Sequence, residues 1–411
     1  MNKLFVMGFL MLFPLLFSAC GRGDGRVQIE LYSQKPEMRE TVERIIRMFE
    51  AENPDIQVLY SSGDIPALRT RVAVGETPSI INIHPGADFL QWSRDGRFFD
   101  FTGHSILNRF TPGAAYSYAV DGRVFALPYT WNATGIFYNA TAFNALGLTP
   151  PNTWAEMETL VQSINNDGRH SAFSLALSTP TSWTLMGTHH LMWLTVTGGG
   201  NADAMQQYLF HSPINAIRAD SPVVQAVTRR LGFLADNAQP NALGASYPDQ
   251  ITAFASGTSL MMPQGIWALP MVNQQRPNFE ISMFPFPVAN PGDPHITAGA
   301  PDWIMVVSSE LTEEQHDAAI RFLEFMARPD IMQIYFDVDG SPTSVLGVQT
   351  AGRFMETESM RRLIEQGRHI LWPHMIWPAG MEFFNAGMDY AMTRDFERYV
   401  NDLNRIFNEW K

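Results

Sequence analysis

The sequence predicts an α/β protein with two domains, and three observations support this. The chain opens as strand, helix, strand: residues 27–31 alternate with polar partners, four apolar residues between 42 and 49 share one helical face, and residues 56–60 are again apolar. Such a unit requires a right-handed crossover and a parallel sheet. The 411 residues exceed what one core usually holds. With 45% hydrophobic residues, the chain can fill two cores.

The clearest local signal lies between Ala126 and Ile164. Thr153 and Glu156 stand three apart, as an N-cap and its reciprocal partner should. The apolar residues that follow have the spacing of one helical face: Met157, Leu160, Val161 and Ile164. Before them, the apolar run 136–138 has the composition of a strand. The segment therefore predicts strand, loop and helix, with Trp154 in the first helical turn as a structural residue.

This segment resembles the signature of family 1 extracellular solute-binding proteins, the sugar-binding subunits of ABC importers. The matching residues are Leu127-Pro128-Tyr129, Tyr138-Asn139, Leu146-Gly147-Leu148, Pro150-Pro151, Thr153-Trp154 and Glu156. Further matches lie at Phe254 to Trp267, at Phe279 to Pro287 and around Ala298 to Trp303. The resemblance therefore covers nearly the whole chain after the N-terminal segment, with gaps near 171–250 and 350–411.

The resemblance implies a two-lobe, periplasmic-binding-protein-like α/β fold. Each lobe would be a largely parallel sheet flanked by helices, with a ligand cleft between the lobes. The chain would cross between them three times, near Tyr129, near 298–301 and near 341–348. The N-lobe would comprise 27–128 plus 301–342, and the C-lobe 129–300 plus 343–411. The ATPase and permease subunits would be separate proteins, so no ATP site is expected here.

The first 20 residues have the pattern of a bacterial signal peptide with a lipobox. Lys3 precedes an apolar run that ends at Phe17, too short to span a bilayer, and small residues then lead to Cys20. Cys20 is the only cysteine, and we expect it to carry the lipid. Residues 21–26 contain an Arg-Gly-Asp triplet but are interpreted as a flexible tether. The protein would be exported and lipid-anchored on the periplasmic or extracytoplasmic face of the cell membrane.

Charge and histidine spacing exclude several classes of partner. The net charge of −13 is spread along the chain, which argues against nucleic acid and against adhesion to an anionic membrane surface. His189-His190 has no second ligand pair at metal spacing, so a packed or surface pair is favoured over a metal site. We expect a monomer without metal or cofactor.

A sugar site needs aromatic platforms for C–H faces and planar polar groups for hydroxyls. Residues of these types occur where the family places its cleft loops, and Gly265 would let the backbone approach a ligand closely. The candidate ligand-binding residues are Trp131, Asn132, Gly265, Trp267, Asp302, Trp303, Trp372 and Trp377. For any single tryptophan, the alternative is ordinary core packing.

The predicted function is that of a substrate-binding lipoprotein, which captures a sugar or oligosaccharide and delivers it to a membrane permease. No catalytic residues are predicted, since GxSxG, HExxH, GxxxxGK[ST] and GxGxxG motifs are absent. A secreted glycoside-processing enzyme stays open as an alternative, because its two carboxylates need not be near in sequence. An adhesin or scaffold lipoprotein is a further alternative, with the Arg-Gly-Asp triplet as its only support.

Overall fold

The computed structural model describes residues 25–372 and 379–409. Nine strands are found in this part of the chain: β1 (Val27–Ser33), β2 (Ile56–Ser62), β3 (Ile80–Ile83), β4 (Leu127–Asn139), β5 (Ser171–Phe173), β6 (Ser259–Gly265), β7 (Ile281–Phe284), β8 (Thr297–Val307) and β9 (His369–Ile370).

Helices surround the strands throughout. The first half of the described chain contains α1 (Arg39–Glu52), α2 (Ile65–Ala73), α3 (Ala87–Arg94), α4 (Ala140–Leu146), α5 (Trp154–Asp167), α6 (Met186–Gly198) and α7 (Ala202–Phe210). The second half contains α8 (Pro222–Asp236), α9 (Tyr247–Ala255), α10 (Leu269–Gln274), α11 (Glu313–Met326), α12 (Pro329–Asp339), α13 (Glu358–Glu365), α14 (Gly380–Thr393) and α15 (Phe396–Asn408). Short 3-10 helices connect several of them. No helix in the described ranges is long and apolar enough to cross a membrane.

The strands follow the order β2-β1-β3-β8-β4-β6-β5, with β7 also paired to β4 and β9 to β8. We call the end of this order with β1, β2 and β3 the first lobe, and the end with β5, β6 and β7 the second lobe. The expected parallel pairing is confirmed around β1. It is wrong around β4, which is antiparallel to β6, β7 and β8. β4 and β8 are adjacent near the middle of the order and run in opposite directions.

Two long strands join the lobes. The middle of β4 is irregular, with register shifts between Pro128 and Thr130 and between Thr130 and Trp131. Such irregularities bend a strand locally. The segment after α12 runs beside this point, since the Trp131 backbone amide donates to the Pro342 carbonyl at 2.7 Å. Three segments of chain therefore lie side by side between the lobes.

The opening strand, helix and strand are confirmed as β1, α1 and β2. The four apolar residues predicted to share one face of α1, Val42, Ile45, Ile46 and Phe49, are all buried. Phe49 packs edge-on against Phe322 of α11, with ring centroids 5.1 Å apart. The first lobe thus has its own core between the sheet and helices α1, α11 and α12.

The predicted capping box at the start of α5 is also confirmed. The Thr153 hydroxyl accepts from the Glu156 backbone amide, and the Glu156 carboxylate accepts from the Thr153 amide. Trp154 is structural, as expected, because it is buried and the Arg230 guanidinium lies 4.8 Å from its ring centroid. Gly168 ends the helix in a left-handed conformation.

Candidate functional site

The middle of the sheet carries polar residues on one face. Asn132 lies on β4 and is fully buried, and Thr134, two residues further, is paired with Gly265 of β6. Opposed residues of antiparallel strands point to the same face of a sheet. A side chain on Gly265 would therefore point to the same face as Thr134 and Asn132. The Trp267 ring occupies the place where that side chain would begin. Trp267 thus lies on the same face as Asn132.

A buried ion cluster lies beside Asn132. The Lys35 ammonium group, at the carboxyl end of β1, forms an ion pair with Asp302 of β8. It also lies 3.3 Å from Oδ1 of Asp339, at the end of α12. All three side chains are at least nine-tenths buried. Since two carboxylates share one ammonium group, the cluster has a net negative charge.

Lys35 and Asp302 each keep their charge through their neighbours. Burial alone would lower the pKa of Lys35, but the Asp302 and Asp339 carboxylates raise it well above its usual value. For Asp302, burial alone would have the opposite effect and raise the pKa. The charge of Lys35, with contributions from His84 and Asn132, holds it below the usual value instead. Lys35 and Asp302 are therefore both charged at neutral pH.

Further polar groups lie around the ion cluster. Nδ1 of His84, just after β3, lies 3.8 Å from Oδ1 of Asp302. The Ser341 hydroxyl donates to Oδ1 of Asn132 at 3.2 Å. The Tyr118 hydroxyl is buried without a hydrogen-bond partner in the described part of the chain. Burial and the Asp302 charge raise the pKa of Tyr118 well above its usual value, so this hydroxyl stays a neutral donor.

The second lobe approaches the cluster through α9 and α10. The turn Pro36–Met38, directly after Lys35, contacts α10. Burial raises the pKa of Glu37 in this turn to about 7, although the Lys35 charge opposes the shift. Glu37 in turn raises the pKa of Tyr247 on α9, after the larger effect of burial. The Glu37 carboxyl group is half-buried. Its effect on Tyr247 indicates that it faces the second lobe.

Aromatic rings line the second lobe's side. Trp267 and Trp372 pack edge-on with ring centroids 5.6 Å apart, and Trp183 packs edge-on against Tyr247 at 4.7 Å. Nε1 of Trp267 and the Tyr247 hydroxyl are buried but find no hydrogen-bond partner within residues 25–372 and 379–409. Buried polar atoms are normally paired. These two donors can therefore serve a ligand that brings acceptor oxygens.

The structure brings together four of the predicted site residues, namely Asn132, Asp302, Trp267 and Trp372. Trp131 lies on the opposite face of β4, where its ring is 5.3 Å from that of His369. The space beside the Gly265 backbone, which was expected to admit a ligand, is filled by the ring of Trp267. The backbone of Trp303 pairs with Thr130. The Trp303 side chain, Trp377 and Cys20 lie outside what the structure describes.

Sequence reasoning missed Lys35, Glu37, Tyr247 and Asp339. Lone charged residues in polar loops are usually solvated, and Lys35 and Asp339 are 304 positions apart. One signal could have found Lys35: it follows the first strand of a strand-helix-strand unit, and ligands bind beyond the carboxyl ends of such strands.

The histidine pair on α6 is packed in the second lobe. His189 and His190 are both buried, and Nε2 of His189 lies 2.7 Å from the Tyr399 hydroxyl. Burial lowers the pKa of both imidazoles to about 3. Among the described residues there is no group of three or more His, Cys, Asp or Glu that could hold a metal ion.

Where the two lobes meet, the protein therefore has a buried ion cluster on one side and buried aromatic rings on the other. A two-lobed protein with these two kinds of surface suits a receptor for small solutes. Residues 44–361 match the family model described as bacterial extracellular solute-binding protein. The chain belongs to this family.

Similar proteins include the multiple sugar-binding protein of Streptococcus mutans serotype c, which is 37% identical over 100% of this chain and 98% of its own length. Among solved structures, RafE in complex with raffinose is 38% identical, with a TM-score of 0.87 over 94% of this chain and 100% of its own. The apo form of RafE from Streptococcus pneumoniae is also 38% identical, with a TM-score of 0.77 over 95% and 99%.

Proposed function

We propose that this protein captures a neutral sugar or oligosaccharide in the cleft between its lobes and presents it to the permease of an ABC importer. The observation that carries this proposal is the likeness, over nearly the full length of both chains, to the Streptococcus mutans multiple sugar-binding protein and to RafE with bound raffinose. The two walls of the cleft offer the chemistry that such a ligand needs.

The charged wall suits hydroxyl groups. The carboxylates of Asp302 and Asp339 are acceptors, and Lys35 holds them in place before a ligand arrives. The net negative charge of the cluster disfavours a phosphate or carboxylate ligand. The aromatic wall, with Trp267 and Trp372, suits the apolar C–H faces of sugar rings. We assign ligand contacts to Asn132, Asp302, Trp267 and Trp372, and extend the assignment to Trp303 and Trp377.

Closure of the lobes is part of the proposal. At the same sequence identity, the chain superimposes better on RafE with raffinose than on apo RafE, with TM-scores of 0.87 and 0.77. In the described arrangement, α10 touches both the turn Pro36–Met38 and α12. A ligand that contacts both walls binds the closed arrangement better and shifts the population toward it. The closed form is what a permease would recognise as loaded.

The test is titration calorimetry of protein that has been stripped of ligand by unfolding and refolding. We expect saturable binding of raffinose or a related neutral oligosaccharide, and no binding of sn-glycerol 3-phosphate. The same samples are then incubated and analysed for free monosaccharide. Loss of the glycosidic bond would favour the glycoside-processing alternative, and absence of binding across a panel of sugars would favour the scaffold alternative.

Export, anchoring and the lobe boundaries complete the proposal. The lobes comprise 27–128 plus 301–342 and 129–300 plus 343–411, and the protein acts as a monomer outside the cell membrane. Cys20 carries the lipid that holds it there, because the sequence before it is typical of a processed signal peptide. In the native host, Cys20→Ser should leave the protein unanchored or unprocessed. Unchanged partitioning into the detergent phase would contradict lipidation at Cys20.

A further inference from the structure

A cavity of about 500 Å³ lies behind the strands that join the lobes. Gly135 and Gly299 face α13, because a side chain at Gly135 would meet Met360 and one at Gly299 would meet Ile364. Trp131 is in phase with Gly135 along β4, and it lines this cavity together with Ile364. Asn132 faces the other way, toward Ser341. The cavity is therefore separate from the cleft described above.

Trp131 forms a fixed aromatic floor for this cavity. Its indole Nε1 donates to the Ser344 hydroxyl at 2.7 Å. The His369 ring packs edge-on against it, with an interplanar angle of 73°. Trp131 is only half-buried. A ring held in this way presents a face to a ligand without losing further conformational freedom.

The remaining lining is polar but offers little positive charge. Ser117 and Thr350 contribute hydroxyl groups, and Glu365 contributes an exposed carboxylate. Arg361 also lines the cavity, but its guanidinium already binds Glu358 and the carbonyls of Thr350 and Arg353. Partial burial lowers the pKa of His369, so its imidazole is neutral at pH 7. An aromatic floor with hydroxyls and one acceptor suits a neutral hydroxylated ring rather than an anion.

We propose that this cavity is a second binding site, for one neutral hydroxylated ring such as a hexoside. Its volume lies within the usual range for small-molecule sites. Trp131 provides the stacking surface, and Glu365 accepts hydrogen bonds from the ring hydroxyls. This site goes beyond the proposed function, because its occupant is bound in addition to the ligand in the cleft.

The experiment uses the whole protein labelled with 5-fluorotryptophan and saturated with raffinose. The Trp131 fluorine resonance is assigned by its loss in Trp131→Phe, and the Trp267 resonance by its loss in Trp267→Phe. Methyl α-D-glucopyranoside is then titrated, with glucose 6-phosphate in a parallel sample. We expect a saturable shift of the Trp131 resonance with the methyl glucoside alone, while the Trp267 resonance stays in its raffinose-bound position.

Variants separate binding from structure. Trp131→Ala should weaken methyl glucoside binding in calorimetry by about fivefold to 150-fold, the range that loss of one stacking contact gives. Glu365→Gln should weaken it less, and Trp92→Ala on α3 should not change it. A Trp131 resonance that does not move, or unchanged binding to Trp131→Ala, would overturn the second site. Failure of raffinose to move the Trp267 resonance would instead count against the cleft, so the two proposals fail separately.

Discussion

The two walls of the cleft differ in chemistry and in how they are held. The first lobe presents charges that hold one another in place, since Lys35 binds both Asp302 and Asp339. The second lobe presents the rings of Trp267 and Trp372, which need no charged partner. The charged wall is therefore organised before a ligand arrives, at a cost in desolvation that its own ion pairs offset. We expect the aromatic wall to contribute mainly when closure brings it onto the ligand.

The largest effect is expected from breaking the charged wall. Lys35→Met would leave two carboxylates in a buried site without a counter-charge. Breaking a buried ion pair in this way costs about 3–5 kcal/mol of unfolding free energy. Urea unfolding of the ligand-free protein measures it.

The matched control for that prediction is Arg39→Met. Arg39 is more than half exposed and pairs with Glu43 at 2.8 Å on the surface of α1. Surface pairs of this kind add little to stability, because water and salt screen them. Equal losses in the two variants would show that the cluster is not the organised wall that the structure describes.

Removing a ring from the aromatic wall should act on affinity instead of stability. Trp267→Ala should cost about 1–3 kcal/mol of binding free energy, if stacking on sugar faces resembles stacking on bases. The melting temperature of the ligand-free protein should change little. A core tryptophan would show the reverse, with about 3–5 kcal/mol lost from stability. Calorimetric titration beside a thermal melt separates the two outcomes.

Glu37 lies where the first lobe contacts α10 of the second lobe, and its carboxyl group should make ligand affinity depend on pH. We expect opening of the lobes to expose Glu37 to water and return its pKa to the ordinary value of 4.5, whereas the described arrangement raises it to about 7. Closure therefore takes up a proton between these values, and affinity must fall as pH rises through this window and level off above it. From about pH 6 to about pH 8 the expected loss is roughly tenfold, since one pKa unit is a factor of ten.

Two variants sharpen the pH prediction. Glu37→Gln should flatten the dependence of affinity on pH, because the amide does not titrate. Glu43→Gln on the exposed side of α1 should leave the dependence as in the wild-type protein. An affinity that rises with pH in the wild-type protein would contradict the assignment to Glu37.

The smallest effect is expected far from both walls. Thr153→Ala removes the side-chain half of the capping box at the start of α5. A lost N-cap costs about 1 kcal/mol of stability. Ligand affinity should not change, and calorimetry together with urea unfolding checks both statements. A change in affinity would mean that the walls are coupled to the outer helices.

Local chemistry explains which parts of the fold were predictable. The capping box of α5 and the apolar face of α1 depend on residues within a few positions of each other, and both predictions are confirmed. β4 was expected only around residues 136–138, yet it extends from Leu127 to Asn139. Its first half contains Pro128, Asn132 and a bulge. This half of β4 is a strand because it pairs with β8, which is distant in sequence.

The site was less predictable because its charged wall is assembled from distant segments. Asp302 could be proposed from its place in a family-matched loop, but its partner Lys35 comes from the start of the chain. Aromatic residues were easier to find, since tryptophan is rare and large. The direction in which each side chain points was harder to predict. Trp131 and Asn132 are neighbours in sequence and were both expected in the cleft, but they face opposite sides of β4.

The most direct test of the account is whether a ligand in the cleft brings the two walls together. Small-angle scattering and a thermal melt are measured on the stripped protein, each with and without raffinose. We predict a smaller radius of gyration with raffinose, and a stability gain of roughly 2.7 kcal/mol at about 100 times the dissociation constant. A gain in stability with an unchanged radius of gyration would leave binding in place and contradict closure.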